Sequence, residues 1–216
     1  MNANAELFSA SLAQQAYELL EEKLVTLQLA PGALISEGEL IEMTGIGRTP
    51  VREAIQRLAN QELFQVIPRK GLLVTPVSRT GMLHILEARK PLERLVVHRA
   101  ALNARDEQRS ALSAIARDMA LVHDRLEDFL RLDYELDQLV DDCANNPFAT
   151  AALAPFRSHS RRFWYRYNAE TGLAESAEHH VALIRSILEG DEEGAAAEAD
   201  RLMILLRAHA EAAARR

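Results

Sequence analysis

Apolar residues in the first third of the chain recur at helical spacing and then give way to short β-branched runs. Leu12, Ala16, Leu19, Leu20, Leu24 and Leu27 form one stripe, which predicts a helix over 12–27. Pro31-Gly32 ends it in a turn. Ser36 with Glu39 three residues on has the form of a capping box, and it opens a short helix carrying Leu40, Ile41 and Met43. Gly45 stops that helix, and Ile46-Gly47 turns the chain into the next one. In 47–58, GRTPVREAIQRL, a polar and cationic start is backed by Val51, Ile55, Leu58 and Ala59 at helical spacing. Pro50 suits a first helical turn, where its missing N–H loses no bond. Leu63 to Ile67 and Leu72 to Val77 read as strands, joined by a hairpin tip at Pro68-Arg69-Lys70-Gly71. Three helices and a β-hairpin predict a winged helix-turn-helix over residues 1–77.

From Ser78 onward the pattern is helical throughout. Segments are predicted at 81–103, 107–123, 125–144, 148–168, 176–189 and 192–214, separated by polar punctuation. Asp106 and Asp191 are expected N-caps, and Gly190 suits the residue just past a helix. Residues 78–216 are therefore expected to form an all-helical bundle of about six helices, and the chain as a whole to be mostly α.

Composition adds compartment and charge. The single cysteine, Cys143, excludes an internal disulfide framework and fits a reducing compartment. No apolar run is long enough to span a bilayer, and the N-terminus lacks the basic start and apolar stretch of a signal peptide, so a cytoplasmic protein with no membrane partner is expected. The net charge of −7 at first argues against nucleic acid. Its distribution argues the other way. Residues 1–47 hold one cation against seven carboxylates, whereas 48–76 hold five cations (Arg48, Arg52, Arg57, Arg69 and Lys70) against Glu53 and Glu62. A local positive patch is what meets phosphates.

Arg48 and Arg52 are four apart and project from one helix face. An arginine forks guanine O6 and N7 with two hydrogen bonds, worth about 1–3 kcal/mol of discrimination. The bland alternative is a solvated face with intrahelical pairs such as Arg52 with Glu53. Arg57, late in the helix, is expected to pair with Glu53 one turn back.

The stretch from Leu27 to Val77, and above all its Arg-Thr-Pro-Val-Arg-Glu-Ala core at 48–54, resembles the DNA-binding domain of the GntR family of bacterial transcription regulators. The second half resembles that family's FadR-type effector domain (FCD), on sparser matches: Glu87, Arg89, Leu92 and Glu93, then Asp133 and Asn146, then His180, Ile184, Gly190 and Asp191. The resemblance implies that Arg48, Thr49 and Arg52 read a double-stranded operator. It implies that Arg69, Lys70 and Gly71 at the wing tip reach the minor groove, and that Ser36 meets phosphate. Gly47 stands where the family commonly has serine, and Gly38 where some members place a DNA-touching arginine.

Many FCD domains hold a divalent metal through Asp-x3-His and two later histidines. Here Asp133 is kept, Asp137 replaces the first histidine, His180 matches the next ligand, and the last falls near Leu202, which coordinates nothing. Asp133, Asp137 and His180 would suit one Zn²⁺, Mn²⁺ or Mg²⁺ ion. They also suit a metal-free pocket or internal hydrogen bonds, and the missing histidines tilt the balance that way; a third reading keeps the pocket and lets Arg89 or another cation neutralise the aspartates. Arg89 is expected either to bind an effector carboxylate or to pair with Glu87, Glu93 or Asp133. Arg157, Arg161, Trp164 and Tyr165 share a helix, and Arg161 is expected in the pocket. The reading is a homodimeric regulator, a repressor by preference, that answers a small organic acid. A metal-dependent enzyme built on Asp133, Asp137 and His180 is the competing class, but no phosphate loop, nucleophile elbow or positioned lysine accompanies them. An architectural DNA-binding protein without an effector is a third reading, and the long helical half argues against it.

Overall fold

The computed structural model describes residues 11–122, 125–167 and 172–213. The chain divides into two compact units, 1–77 and 78–216. The first contains α1 (Leu12–Val25), β1 (Leu34–Ile35), α2 (Glu37–Thr44), α3 (Arg48–Asn60), β2 (Phe64–Ile67) and β3 (Gly71–Val74). Its core is Ala16, Tyr17, Leu20 and Leu24 of α1, Leu40 of α2, Val51, Ala54, Ile55 and Leu58 of α3, and Leu63, Phe64, Leu72 and Val74 around the hairpin. The α1 stripe is thus one residue off the sequence reading: Leu12 and Leu19 are exposed, and Tyr17 takes the buried place. The helix ends at Val25, and Leu27 leaves it with φ at 60°. Ser36 makes the expected capping box, with its Oγ accepting from the Glu39 N–H and the Glu39 carboxylate accepting from the Ser36 N–H.

The wing is a three-stranded antiparallel sheet in the order β1-β3-β2. Strand β1 was not legible in the sequence. It is two residues long and pairs Leu34 with Leu73 and Ile35 with Leu72, far away in the chain. It explains Gly71. That residue has φ at 112°, and a Cβ there would lie 2.7 Å from the Ile35 carbonyl oxygen. The glycine is needed by the sheet itself.

The second unit contains α4 (Arg79–Asn103), α5 (Asp106–Met119), α6 (Leu126–Ala144), α7 (Pro147–Tyr167), α8 (Leu173–Glu189) and α9 (Glu192–Ala213). Each expected segment is present within a few residues; positions 123, 168 and 214 lie outside the described residues. Asp106 is the first residue of α5 rather than its cap. Arg105 takes the cap position, and its N–H donates to Gln108 Oε1 at 2.9 Å. Asp191 caps α9 through the Gly194 N–H at 2.9 Å. The sharp stop between α6 and α7 is Asn145, which caps α6 with φ at 48°, a conformation asparagine tolerates better than most residues. Helix α4 packs against α6, α7, α8 and α9. No helix among the described residues is long and apolar enough to cross a membrane.

Gly71→Ala is expected to destabilise the first unit by about 1–3 kcal/mol through backbone strain, before any clash with Ile35 is added. Gly38→Ala, with nothing nearer than Ser36 Oγ at 3.8 Å, is the contrasting control, expected to be neutral or mildly stabilising. Urea unfolding of the full chain, followed by amide exchange in the wing, checks both.

Candidate DNA-reading surface and buried pocket

At the start of α3 no side chain caps the helix, because Gly47 is the N-cap. The first turn is left open to a ligand's oxygen atoms. Arg48 and Arg52 stand there with side chains 75% and 66% exposed. Thr49 lies exposed between them. Both arginines lean toward Glu37 of α2: Arg52 Nε is 2.8 Å from Oε2, and Arg48 Nε is 3.7 Å from Oε1. Sequence reasoning missed this role for Glu37, because it depends on how α2 crosses α3. Exposed pairs contribute roughly 0–1 kcal/mol, so Glu37 orients these side chains more than it stabilises the unit. With Nε engaged, Arg52 presents its two terminal nitrogens, the edge that forks guanine. Arg69 and Lys70 are exposed at the wing tip and make no ion pair among the described residues. Arg57 departs from expectation. It lies over the Tyr17 ring at 4.0 Å and donates to Gln14 Oε1 at 2.8 Å, fastening α3 to α1 instead of pairing with Glu53. The Ser36 hydroxyl is committed to Glu39 Oε2 at 2.7 Å, and the cap's hydrogen bonds hold the Glu39 carboxyl below its ordinary pKa.

The pocket lies inside the second unit and is built from residues four apart on successive helices. Helix α4 supplies Arg89 and Glu93; α6 supplies Asp133, Asp137 and Asp141; α7 supplies Arg157 and Arg161; α8 supplies Ser176 and His180. Spacing of four stacks each helix's pair on one face. Arg157 is the hub. It donates through Nη2 to Glu93 Oε2 at 2.9 Å and through Nη1 to Asp141 at 2.8 Å, and its Nε lies 3.1 Å from Asp137 Oδ1. Arg161 donates to Asp133 Oδ2 at 2.9 Å through Nε, and to Asp137 Oδ2 through Nη2. Arg89 puts Nε and Nη2 on a single Glu93 oxygen, at 2.7 and 2.6 Å. His180 Nε2 is 3.1 Å from Asp133 Oδ1, and its Nδ1 is 2.7 Å from the Ser176 carbonyl oxygen. Apolar walls come from Phe129, Leu130, Trp164, Leu202 and Leu206. The cavity among them is about 30 Å³, room for one or two waters.

All five expected pocket residues (Arg89, Asp133, Asp137, Arg161 and His180) converge here. Arg157, which shares a helix face with Arg161, and Glu93, an expected partner of Arg89, join them, and Asp141 is the addition. Their signal in the sequence was charge at i,i+4 on otherwise apolar helices, which solvated faces show as well.

These donors do not fit a divalent ion. The oxygens that would face it are held by guanidinium groups, both His180 nitrogens face acceptors, and Leu202 closes the fourth side. Among the described residues no group of three metal-ligating side chains is placed to hold an ion.

Burial works against charge throughout. It pushes the Asp137 carboxyl up to about 7, because Arg157 and Arg161 do not offset it and Asp133 and Glu93 repel it further. Burial opposes ionisation of Asp133 too, but Arg161 and His180 outweigh it and hold that carboxyl well below its usual range. Burial lowers His180, yet the Asp133 hydrogen bond and charge win, and its pKa is raised.

Two of these shifts act in one direction. An acid with a raised folded pKa holds a proton that the unfolded chain has released, so its contribution falls as pH rises from its unfolded value of 3.8 to about 7. A histidine with a raised folded pKa contributes fully below its unfolded value of 6.5 and loses this as pH rises through the folded pKa. Melting temperature is therefore expected to fall as pH rises from about 4 through about 7, and to fall less steeply in Asp137→Asn and His180→Gln. Thermal melts at constant ionic strength check it.

The model of the bacterial regulatory proteins of the gntR family matches residues 12–74, and the FCD domain model matches 84–212. The chain is 31% identical over 154 residues to the HTH-type transcriptional repressor RspR of Escherichia coli (strain K12), which covers 70% of this chain and 68% of that protein. It is 25% identical over 200 residues to the regulator YieP of the same strain, covering 82% and 86%. Among solved structures it superposes on E. coli McbR/YncC with a TM-score of 0.81 at 22% identity, covering 94% of this chain and 98% of that one. A GntR regulator from Rhodococcus sp. RHA1 gives 0.66 at 16% identity, covering 94% and 99%. At these identities the structural likenesses speak for the fold alone. The open N-terminus of α3 with its two arginines, the wing and the helical pocket unit thus belong to a GntR-family transcription regulator with an FCD domain, a ligand-responsive DNA-binding protein and not an enzyme.

Proposed function

We propose that this regulator represses transcription as a homodimer on a palindromic operator, and that a small organic anion entering the FCD pocket releases it. The observation that carries the DNA half is the pair Arg48 and Arg52, both exposed at the uncapped start of α3 and held side by side by Glu37. Arg69, Lys70 and Gly71 extend the contact into the minor groove, Thr49 adds a contact at the helix start, and Ser36 meets phosphate once its hydroxyl leaves Glu39.

The anion half is supported by Arg89. It lines the cavity and spends two of its three nitrogens on one Glu93 oxygen, leaving Nη1 without a protein acceptor among the described residues. Arginine suits a carboxylate because it offers two parallel donors. The pocket's small volume means that the anion enters by displacing side chains, so Arg161, Asp133, Asp137 and His180 respond directly to occupancy. Helix α4, which carries Arg89, follows the wing in the chain after Ser78. A shift of α4 of even a fraction of a turn is thereby transmitted to the DNA-reading unit through the chain. A coupling of about 1–3 kcal/mol is enough for regulation.

Dimerisation is supported by a partly exposed seam on α4. Ala88, Leu92, Leu95, Arg99 and Leu102 follow alternating steps of four and three; Leu95 and Leu102 are 43% and 55% exposed, while Arg99 between them donates to the Ala144 carbonyl oxygen at 2.9 Å. Such spacing suits a helix packed against a second copy of itself.

Arg52→Ala is expected to weaken binding to an operator selected from random duplexes by about ten- to a hundredfold per half-site, with an unchanged melting temperature. Near-wild-type affinity by fluorescence anisotropy would remove the reading helix from this role. Leu95→Asp combined with Leu102→Asp is expected to give a folded monomer in sedimentation velocity that binds a half-site but not the palindrome cooperatively. A double variant that stays dimeric would place the interface elsewhere.

A further inference from the structure

We infer that the Arg161 guanidinium is the pocket's resident cation, occupying the place between Asp133, Asp137 and His180 where a divalent ion would otherwise be held. The inference rests on reading this pocket as the effector site. It goes beyond that reading by assigning the positive charge that an incoming anion meets to a protein side chain rather than to a metal.

Three observations carry it. First, Arg161 bridges the two aspartates edge-on, Nε to Asp133 Oδ2 at 2.9 Å and Nη2 to Asp137 Oδ2. The carboxylates stand on adjacent turns of α6, and one planar cation spans the gap between them. A spherical ion sharing one oxygen from each would need that same gap. Second, His180 keeps the second-shell arrangement of a metal-binding histidine. Its Nδ1 faces the Ser176 carbonyl oxygen at 2.7 Å, and an N–H there turns Nε2 toward the ligand side. What Nε2 meets is Asp133 Oδ1 at 3.1 Å, so the ring donates at both ends and offers no lone pair. Third, the acids are already partnered. Glu93, Asp133, Asp137 and Asp141 face Arg89, Arg157, Arg161 and His180 through the ion pairs already described. A divalent ion added to this set would bring uncompensated positive charge into a buried site, which burial penalises heavily.

The pocket therefore gathers Asp133, Asp137 and His180 around a guanidinium and not around an ion. Removing that guanidinium should open its place to an ion. Once Arg161 is gone, Asp133 and Asp137 lose their shared partner, and His180 can release its Nε2 proton and turn a lone pair to the same point. Water completes the coordination where Leu202 offers nothing.

The experiment titrates Mn²⁺ and Zn²⁺ separately into full-length, chelator-stripped protein, following Mn²⁺ by its electron paramagnetic resonance signal and Zn²⁺ by calorimetry. Wild type is expected to bind neither stoichiometrically at 100 µM ion. Arg161→Gln is expected to gain one equivalent of ion per chain, and to lose it again in the double variant Arg161→Gln, Asp133→Asn. One tightly bound ion in wild type that disappears in Asp133→Asn would overturn the inference, and this arm needs no Arg161 variant to fold. A folded Arg161→Gln that binds no ion would overturn it as well. If Arg161→Gln is too unstable to isolate, it is refolded with and without 1 mM Mn²⁺. Recovery of helical circular dichroism only with the ion supports the inference, and no recovery counts against it. None of these readouts involves an effector. A gain of metal in Arg161→Gln, together with wild-type operator binding that no organic anion alters, would retire the effector reading and leave the assignment of Arg161 standing.

Discussion

The second unit depends on the bond between Arg157 and its three carboxylates. A guanidinium in a helical bundle is tolerated only when its donors are matched, since an unpaired buried ion costs several kcal/mol. Arg157 meets that condition with one acid from α4 and two from α6, so it fixes α7 against both at once. Arg161, one turn on, repeats the arrangement one turn back along α6 and draws in His180 of α8. The network gives the helices a register that apolar packing alone would specify weakly. Removing Arg157 takes a partner from carboxylates on two other helices, α4 and α6.

This also explains which parts could be read from the sequence. Helices were legible because their stripes and caps are local: Ser36 with Glu39, Gly45, Gly190 and Asp191 all sit where the chain pattern put them. Strand β1 was not, because two residues carry no period and its partner lies nearly forty residues on. The buried charges were half legible. A resemblance pointed to Arg89, Asp133 and His180, and spacing brought in Asp137 and put Arg157 and Arg161 on one helix face. Arg157 and Glu93 are the deepest pair, and nothing local separates their i,i+4 pattern from that of exposed pairs such as Arg131 with Glu135. Only the packing of four helices decides which charges end up inside. Glu37 was missed for the same reason, and Arg57 was misassigned because its true partner is an aromatic ring on another helix.

On the DNA side, a carboxylate beside the two arginines proposed to read bases is unexpected in a chain whose net charge is already −7. Its effect is on selectivity. An arginine leaning on Glu37 gives up part of its attraction for any phosphate it passes. Against guanine it keeps the terminal edge that makes two hydrogen bonds, and its Nε bond fixes the plane in which that edge lies. The electrostatic, sequence-blind share of binding is reduced while the geometric share is retained. With the net positive charge of the first unit concentrated in residues 48–76, such a surface favours discrimination over raw grip.

The same reasoning bears on how the pocket transmits a signal. A ligand shifts an equilibrium only by its differential affinity for the two states. In a pocket already closed by matched ion pairs, an anion gains little from a new contact as such, because every guanidinium bond it takes is one that a protein carboxylate gives up. The exchange favours binding only if the displaced carboxylate becomes cheaper to hold. Asp137 is placed for that, since burial already pushes it up to about 7 and a proton suffices to neutralise it. An anion that takes Arg161 from Asp137 leaves a neutral acid instead of a stranded charge. The bonds joining α6 to α7 are then fewer than before, and the helices that Arg157 and Arg161 held in register become free to settle into a second arrangement.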